Sequence, residues 1–420
     1  MTTHTTISQH PSAGSEPGAA AGANDRTSDG EARLPMAALS ALATAVFVTS
    51  LTETLPAGLL PGMSGDLGVG ESAAGQTVTV YALGTALTAI PLTAATAGWR
   101  RKRLLLTAMA GFAVANTVTA VSGAYALTMV ARFLAGVAAG VAWALLAGYA
   151  RSLVPDRLAG RAIAVAMAGI PVALSLGVPA GTFLGETVGW RAAFWSTTAL
   201  TVALLGWIAA AVPDRPGERP EGRAPMLGAL RVPGVVPVLL VTLVFVLAHT
   251  VLYAYIATFL ERMGMGGSAD LVLLAFGAAS LVSIWVVGAG IHRGLRALTL
   301  AGTVLVAVAA GLLAVDAGTP ALVYAAVVLW GLGWGGIPTL LQTAAGDAGG
   351  EEAADGAQAM LVTLWNVAMA AGGVVGGVLL DGFGPRSLPW SVVALLIPVL
   401  AVVAGARAHG FPARRPGTGG

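Results

Sequence analysis

Twelve stretches of mostly apolar residues run through this chain of 420 residues. Each is near the ~20 residues that a helix needs to cross ~30 Å of hydrocarbon. They cover 36–60, 72–97, 104–122, 125–149, 160–184, 191–212, 234–259, 270–290, 297–315, 320–341, 357–380 and 389–407. Without water, a spanning segment must satisfy its own backbone hydrogen bonds, and long unalternating apolar runs do this as helices. The expected fold is therefore an all-α membrane protein with twelve transmembrane helices. Charged residues make up only 10% of the chain, against about 25% in soluble domains. The stretch 104–149 is too long for one crossing and divides at Ser122-Gly123-Ala124.

Twelve spans put both termini on one side, and the basic residues choose which. Of the 22 Lys and Arg, 18 fall in the tails and the even-to-odd loops, and three (Arg191, Arg262, Arg386) in the opposite loops. Basic loops stay in the cytoplasm, so both termini are expected there. The first 35 residues are polar and have no apolar run before Leu34. They read as a disordered tail rather than a signal peptide, and residues 409–420 read as a second tail.

The polar stretch 213–233 divides the chain into two six-helix bundles, 36–212 and 234–408. The halves repeat. Gly177, Gly181, Gly189 and Arg191 recur 195 positions later as Gly372, Gly376, Gly384 and Arg386. Gly136 and Gly140 recur as Gly331 and Gly335, and Arg100 and Arg103 recur near offset 193 as Arg293 and Arg296. An even number of spans per half keeps the orientation, giving parallel repeats about an axis along the membrane normal. A substrate site is then expected between the halves, near mid-membrane.

Several chemistries lack their residues. There is no cysteine, and the five His are scattered without ligand spacing, so neither a thiol nor a metal site is expected. No Walker sequence is present, so ATP drive is not supported. The acidic stretch Asp347 to Asp355 reads as a solvated loop and helix cap.

Three motif groups resemble the major facilitator superfamily, and within it the drug:proton antiporter and arabinose-efflux-like branch. The first is Glu53-Thr-Leu-Pro-Ala-Gly-Leu-Leu-Pro61 with Asp66-Leu-Gly-Val69 and Ala74-Gly-Gln76. The second is Arg132-Phe-Leu-Ala-Gly136-Val-Ala-Ala-Gly140, similar to the family's conserved-arginine motif. The third is Gly177-Val-Pro-Ala-Gly181, similar to its antiporter motif, followed by Gly189-Trp-Arg-Ala-Ala-Phe-Trp195. The resemblance spans about 36–408 and implies two pseudo-symmetric bundles, alternating access and proton-coupled efflux, with no enzymatic activity. One departure stands out. The family's second loop carries an Asp before its basic residues, whereas Ala95-Thr-Ala-Gly-Trp-Arg-Arg-Lys-Arg103 keeps only the basic cluster, which suits anionic headgroups.

Only two ionisable residues of opposite charge lie well within spans: Glu53 and Arg132. Each alone costs at least about 2.5–3.5 kcal/mol at mid-bilayer, so both are functional candidates. Glu53 precedes Leu60 by seven residues on an outward-running helix, and Arg132 follows Tyr125 by seven on an inward-running one. At about 1.5 Å per residue both lie roughly 10 Å below the outer surface. A Glu53–Arg132 pair whose separation changes would switch proton affinity; the alternative is a structural ion pair, or Glu53 bonded to backbone freed by Pro56. His249 sits roughly where Glu53 does in the other half, and is either a proton group or a hydrogen-bonded core residue.

Trp143, Tyr253, Trp365 and Asn366 join His249 as candidates for lining a substrate cavity, with Tyr255, Trp334 and Gln342 as weaker ones. Gly136, Gly140, Gly331 and Gly335 are expected to pack helices closely. Gly177, Pro179 and Gly181 are expected to bend helix 5 and pack it across the interface between halves, shaping a gate. No cofactor is expected, the proton gradient being the energy source. The expected partners are a small organic substrate and the lipid bilayer, not nucleic acid, with the chain a monomer. A proton-coupled importer of a small metabolite on the same fold is the alternative, and the substrate is not named by the residues.

Overall fold

The computed structural model describes residues 34–217 and 226–412. Almost all of the first tail, the middle of the 213–233 linker and the end of the second tail lie outside the described residues. So does the side chain of Arg293, one member of the repeated basic pair.

Twelve long helices follow, named here in chain order. Helix α1 comprises Met36–Thr54 and Pro56–Leu67, α2 is Glu71–Thr96, α3 is Arg101–Val121 and α4 is Tyr125–Ser152. Next come α5 (Ala159–Thr187), α6 (Trp190–Ala211), α7 (Val235–Tyr253 and Ile256–Arg262) and α8 (Gly266–Ile291). The last four are α9 (Gly294–Val315), α10 (Pro320–Gly350), α11 (Gly356–Phe383) and α12 (Ser387–Gly405). Eleven of these are long and apolar enough to span a membrane on hydropathy alone. The twelfth, α2, is diluted by Ser72, Gln76, Thr77 and Thr79, residues it turns toward other helices. Large apolar side chains such as Leu87, Val114, Phe183, Trp285 and Ile397 stand exposed on the outside, as a lipid-facing surface requires.

The helices hide their hydroxyls in their own backbones. Thr49 donates to the Ala45 carbonyl at 2.8 Å, Thr201 to Thr197 at 2.7 Å and Thr303 to Thr299 at 2.7 Å. This back-bonding satisfies a polar group where no water can. Two readings of helix ends change. The first span breaks at Leu55, because Pro56 has no N–H to continue the ladder, and Gly58 bonds back three residues to Leu55 at 3.2 Å. The Asp347–Asp355 stretch is not an extended loop: helix runs on both sides of Gly350, whose φ of 59° makes the single sharp turn.

The repeat returns as contacts. A Cβ at Gly177 or Gly181 on α5 would strike Phe47, Leu51 and Leu55 of α1; at Gly372 or Gly376 on α11 it would strike Leu247, Thr250 and Tyr255 of α7. Leu55 thus answers to Tyr255, an offset of 200 between α1 and α7. Gly136 lies on the Tyr81 carbonyl of α2, and Gly331 on the Phe276 carbonyl of α8, while Gly335 meets Ser280 and Gly140 is buried. At the loop ends, Lys102 Nζ donates to the Ala209 carbonyl at 2.7 Å, and Arg296 Nη2 donates to Ala404 at 2.8 Å. Both acceptors are last-turn carbonyls, where cations are favoured by the helix dipole.

These contacts correct one expectation. Gly177 and Gly181 pack α5 against α1 of the same half, not across the interface. The other half is met from α5 by Leu174, Ser175 and Thr182, near Gly277 and Leu273 of α8. A π-helical turn at Ala173–Gly177 displaces this stretch just before Pro179.

The basic cluster without its own Asp finds one elsewhere. Arg100 Nε pairs with Asp214, just past α6, and the Tyr149 hydroxyl donates to the Pro213 carbonyl at 2.8 Å. The Arg100 hydrogen bond holds the Asp214 carboxyl below its ordinary value. A lowered carboxyl pKa means the pair persists at neutral pH and is lost only as pH falls through that value.

Because a side chain at Gly136 would drive into backbone rather than a movable side chain, Gly136→Leu is expected to destabilise by about 2 kcal/mol or more. Gly311→Leu, at a glycine with open space around it, is expected to be nearly neutral. Thermal unfolding of both variants in detergent measures the contrast.

Candidate functional site between the halves

Among the described residues, hydrogen bonds that cross between the halves gather at one end, the end of Glu71 and Arg262. Gln76 Nε2 on α2 donates to the Tyr255 hydroxyl and to the Gly373 carbonyl, each at 3.2 Å, and Tyr255 donates to Gly373 at 2.7 Å. Arg262 Nε donates to Glu71 at 3.0 Å. Gly75 of α2 faces the Tyr255 ring of α7, and Gly373 of α11 faces the Thr79 side chain of α2, so at both places a missing side chain makes room for one from the facing half. Apolar packing follows the same division. Leu55, Leu59, Met63 and Phe194 of the first half share one core with Val238, Tyr255 and Val399 of the second. The opposite end of the first half, with Leu42, Phe112, Leu146 and Ile208, forms its own cluster, which among the described residues contains no second-half side chain. The molecule is thus sealed at the Glu71–Arg262 end, and its first half packs separately at the other.

Below the seal lie the two intramembrane charges, close but not paired. Arg132 is fully buried. Its guanidinium sits 4.9 Å from the Tyr81 ring and 5.9 Å from the Phe194 ring. Its Nε donates weakly to the Thr77 carbonyl at 3.4 Å, while Nη1 and Nη2 have no hydrogen-bond partner. Glu53, half-buried, has the Arg132 charge nearby and the Trp143 indole as a hydrogen-bonding neighbour, but forms no ion pair with Arg132. The equal depth expected for the two residues agrees with this proximity; direct contact does not occur. Nor is Glu53 held by the interruption at Pro56.

The second half answers with rings. His249 stacks on Trp334 with centroids 3.4 Å apart and planes 5° apart, and on Tyr253 at 5.0 Å. Trp330 Nε1 donates to His249 Nδ1 at 3.1 Å, so that nitrogen carries no proton. Phe276 packs edge-on to Trp330 at 5.1 Å, Phe245 stacks near Trp334 at 5.9 Å, and Trp365 leans on Trp334 at 5.7 Å. Tyr253 is an electrostatic neighbour of Glu53, which brings the cluster to the carboxylate. At the offset of 200, the counterpart of Glu53 is Tyr253 and not His249, whose own counterpart is Thr49.

Of the other predicted residues, Asn366 turns its Nδ2 back to the Val362 carbonyl of its own helix at 2.9 Å. Trp365 is half-buried beside it. Tyr255 belongs to the seal rather than to the space beneath. Sequence reasoning missed Gln76 and Tyr255 as partners, since nothing local marks two polar residues 179 positions apart as neighbours. It also missed the full aromatic set: Phe245, His249 and Tyr253 repeat every four residues on α7, a signal that was present.

The chain matches the family described as Major Facilitator Superfamily over residues 42–372. It is 32% identical over 368 residues to a chloramphenicol efflux pump of Mycobacterium tuberculosis, covering 85% of this chain and 88% of that one. It is 29% identical over 384 residues to a purine ribonucleoside efflux pump of Salmonella paratyphi C, covering 90% and 96%. A transcription regulatory protein of Pseudomonas aeruginosa is also 29% identical, over 370 residues, covering 85% and 90%. Among solved structures, a nucleoside transporter superposes with a TM-score of 0.74 at 11% identity, covering 89% of this chain and all of that one. The human organic anion transporter MFSD10 superposes at 0.67 and 17%, covering 88% and 100%.

The seal must part if substrate is to leave at that end. Each buried hydrogen bond contributes about 0.5–1.5 kcal/mol, so Gln76→Ala, which removes two, is expected to raise the population open at the Glu71 end by about fivefold or more. The chain has no cysteine, so spin labels on single introduced cysteines after α1 and α7 can read the distance distribution directly.

Proposed function

The chain belongs to the major facilitator superfamily, whose members are transporters and not enzymes, and from that premise we propose that it is a proton-coupled efflux antiporter for a small organic molecule. It is a multi-pass membrane protein. We place both termini in the cytoplasm of a bacterial inner membrane, because 18 of 22 basic residues lie on that side of the twelve spans. The sealed end then faces outward, and the state described is inward-open, ready to load from the cytoplasm. Two of the three similar proteins carry efflux in their names, which favours export over uptake.

One observation carries the coupling. Glu53 is half-buried between the halves, and the buried cation nearest it, Arg132, keeps both Nη atoms unpartnered instead of binding it. A guanidinium buried without a partner is expensive, so a conformation in which Arg132 reaches a carboxylate is favoured. Closing the pair releases a proton from Glu53; opening it takes one up. If the pair closes as the inward-open molecule loads substrate, Glu53 gives its proton to the cytoplasm, and if it opens once the sealed end has parted, Glu53 takes one up from outside; proton entry and substrate exit then become one cycle, with the gradient supplying the energy and no cofactor. Gly177, Pro179 and Gly181 serve this motion by keeping α5 tight against α1, so that the two helices move as one body.

In inverted vesicles with an acidic lumen, the wild-type protein is expected to accumulate substrate, and a protonophore to abolish the accumulation. Glu53→Gln is expected to lose gradient-driven accumulation by at least tenfold while still binding substrate and exchanging it down its gradient. Undiminished proton-driven accumulation by Glu53→Gln overturns the assignment. Accumulation only in right-side-out vesicles overturns the direction.

A further inference from the structure

Consecutive cations run from Arg100 to Arg103 between α2 and α3, and the fold does not use them all to hold itself together. Arg100 pairs with Asp214, and Arg101 Nε donates to the Pro216 carbonyl at 3.4 Å. Lys102 Nζ spends one of its donors on the Ala209 carbonyl at 2.7 Å. Arg103 is exposed, and its guanidinium lies 5.4 Å from the centre of the exposed Trp99 ring. Among the described residues, neither Lys102 nor Arg103 has a carboxylate partner.

These two side chains stand at the mouth of a groove of about 480 Å³ between α3 and α6. Leu106, Ala110 and Leu205 run along it, and Asp214 lies at its rim, where Arg100 answers its charge. The groove opens on the outside of the bundle, since Ala110 of α3 and Trp207 of α6 are exposed. From Lys102 to Ala110 it descends about 12 Å along α3. Two cations without acidic partners thus sit above an apolar trough.

The second half repeats the scaffold without these side chains. Lys102 and Arg296 each reach a last-turn carbonyl, at an offset of 194. At that offset Arg103 answers to Ala297, and Ala110 to Val304. The second cation is gone, and a branched side chain replaces the small residue of the trough. Helix packing alone does not require Arg103 or Ala110, so their pairing calls for another reason.

A cation pair at the membrane surface attracts anionic phosphate, and an apolar trough facing lipid accepts hydrocarbon. We propose that this groove binds one anionic phospholipid, its headgroup phosphate on Lys102 and Arg103 and an acyl chain along Leu106, Ala110 and Leu205. With the termini placed as above, the lipid belongs to the cytoplasmic leaflet. The site depends neither on proton coupling nor on the direction of transport.

The test is native mass spectrometry of delipidated protein in detergent, titrated with three probes. Dioleoyl phosphatidylglycerol is the anionic lipid, dioleoyl phosphatidylcholine has the same chains without net charge, and glycerophosphate has the phosphate without chains. The wild-type protein is expected to bind its first phosphatidylglycerol about tenfold more tightly than its first phosphatidylcholine, each basic residue near an anionic surface being worth about fivefold. Glycerophosphate is expected not to bind at the same concentrations. Arg103→Gln, at an exposed side chain, is expected to cut the preference to about threefold or less, and Lys102→Gln with Arg103→Gln to remove it. Ala110→Phe keeps both cations and fills the trough, and is expected to weaken phosphatidylglycerol binding by about fivefold or more. Arg157→Gln with Arg161→Gln removes equal charge from exposed positions near the α4–α5 connection, and is expected to leave the preference unchanged. Thermal unfolding checks that each variant is folded. Equal affinity of the wild-type protein for the two lipids, a full preference without Lys102 and Arg103, undiminished binding by folded Ala110→Phe, or an equal loss in the Arg157 and Arg161 variant overturns the proposal. Glycerophosphate binding as tightly as phosphatidylglycerol also overturns it, because the ligand is then a free phosphate group and not a lipid.

Discussion

A peptide N–H in hydrocarbon has no water to turn to, and every feature of this molecule works within that constraint. It makes each span a helix and sends the hydroxyls of Thr49, Thr201 and Thr303 back to their own carbonyls. It also makes any polar group left over conspicuous. Arg132 is the clearest case, a fully buried guanidinium with two nitrogens unpartnered. Gln76 is the opposite case, a side-chain amide whose protons are taken up by the hydroxyl and carbonyl of the facing half.

That constraint also explains how twelve apolar helices can hold one conformation and still be able to leave it. Lipid tails are as apolar as leucine, so burying more leucine between helices gains little in a membrane. Close backbone approach and a few hydrogen bonds decide the contact instead. Within each half, glycines set α4 on α2 and α10 on α8 without side chains between them. Between the halves, the described hydrogen bonds gather at the Glu71–Arg262 end. Strong packing inside each half and a localised seal between them is the physical form of two bodies that rock.

The halves share a plan but not a chemistry. Their repeated contacts, such as Lys102 to Ala209 and Arg296 to Ala404, hold the scaffold in common. The positions facing the space between them have diverged. One half sets a carboxylate and a guanidinium among Tyr81, Phe194 and Trp143, and the other packs a cluster of stacked rings around His249. The even repeat makes such a division possible, since it brings equivalent positions face to face across one axis.

Much of this was legible in the chain itself. Twelve spans, their six-plus-six repeat and the two intramembrane charges follow from apolar run lengths, glycine spacing and the rarity of charge, because each depends on local composition against a fixed membrane thickness. The nearness of Glu53 and Arg132 was legible too, from about 1.5 Å per residue along two antiparallel helices. Only the tertiary structure decided which groups touch. It kept Glu53 off Arg132, paired Arg100 with Asp214, turned Gly177 and Gly181 toward α1, and replaced His249 with Tyr253 as the counterpart of Glu53. Each of these depends on the rotation of one helix about its axis against another. That rotation is fixed by packing between residues far apart in the chain, and an apolar run does not record it.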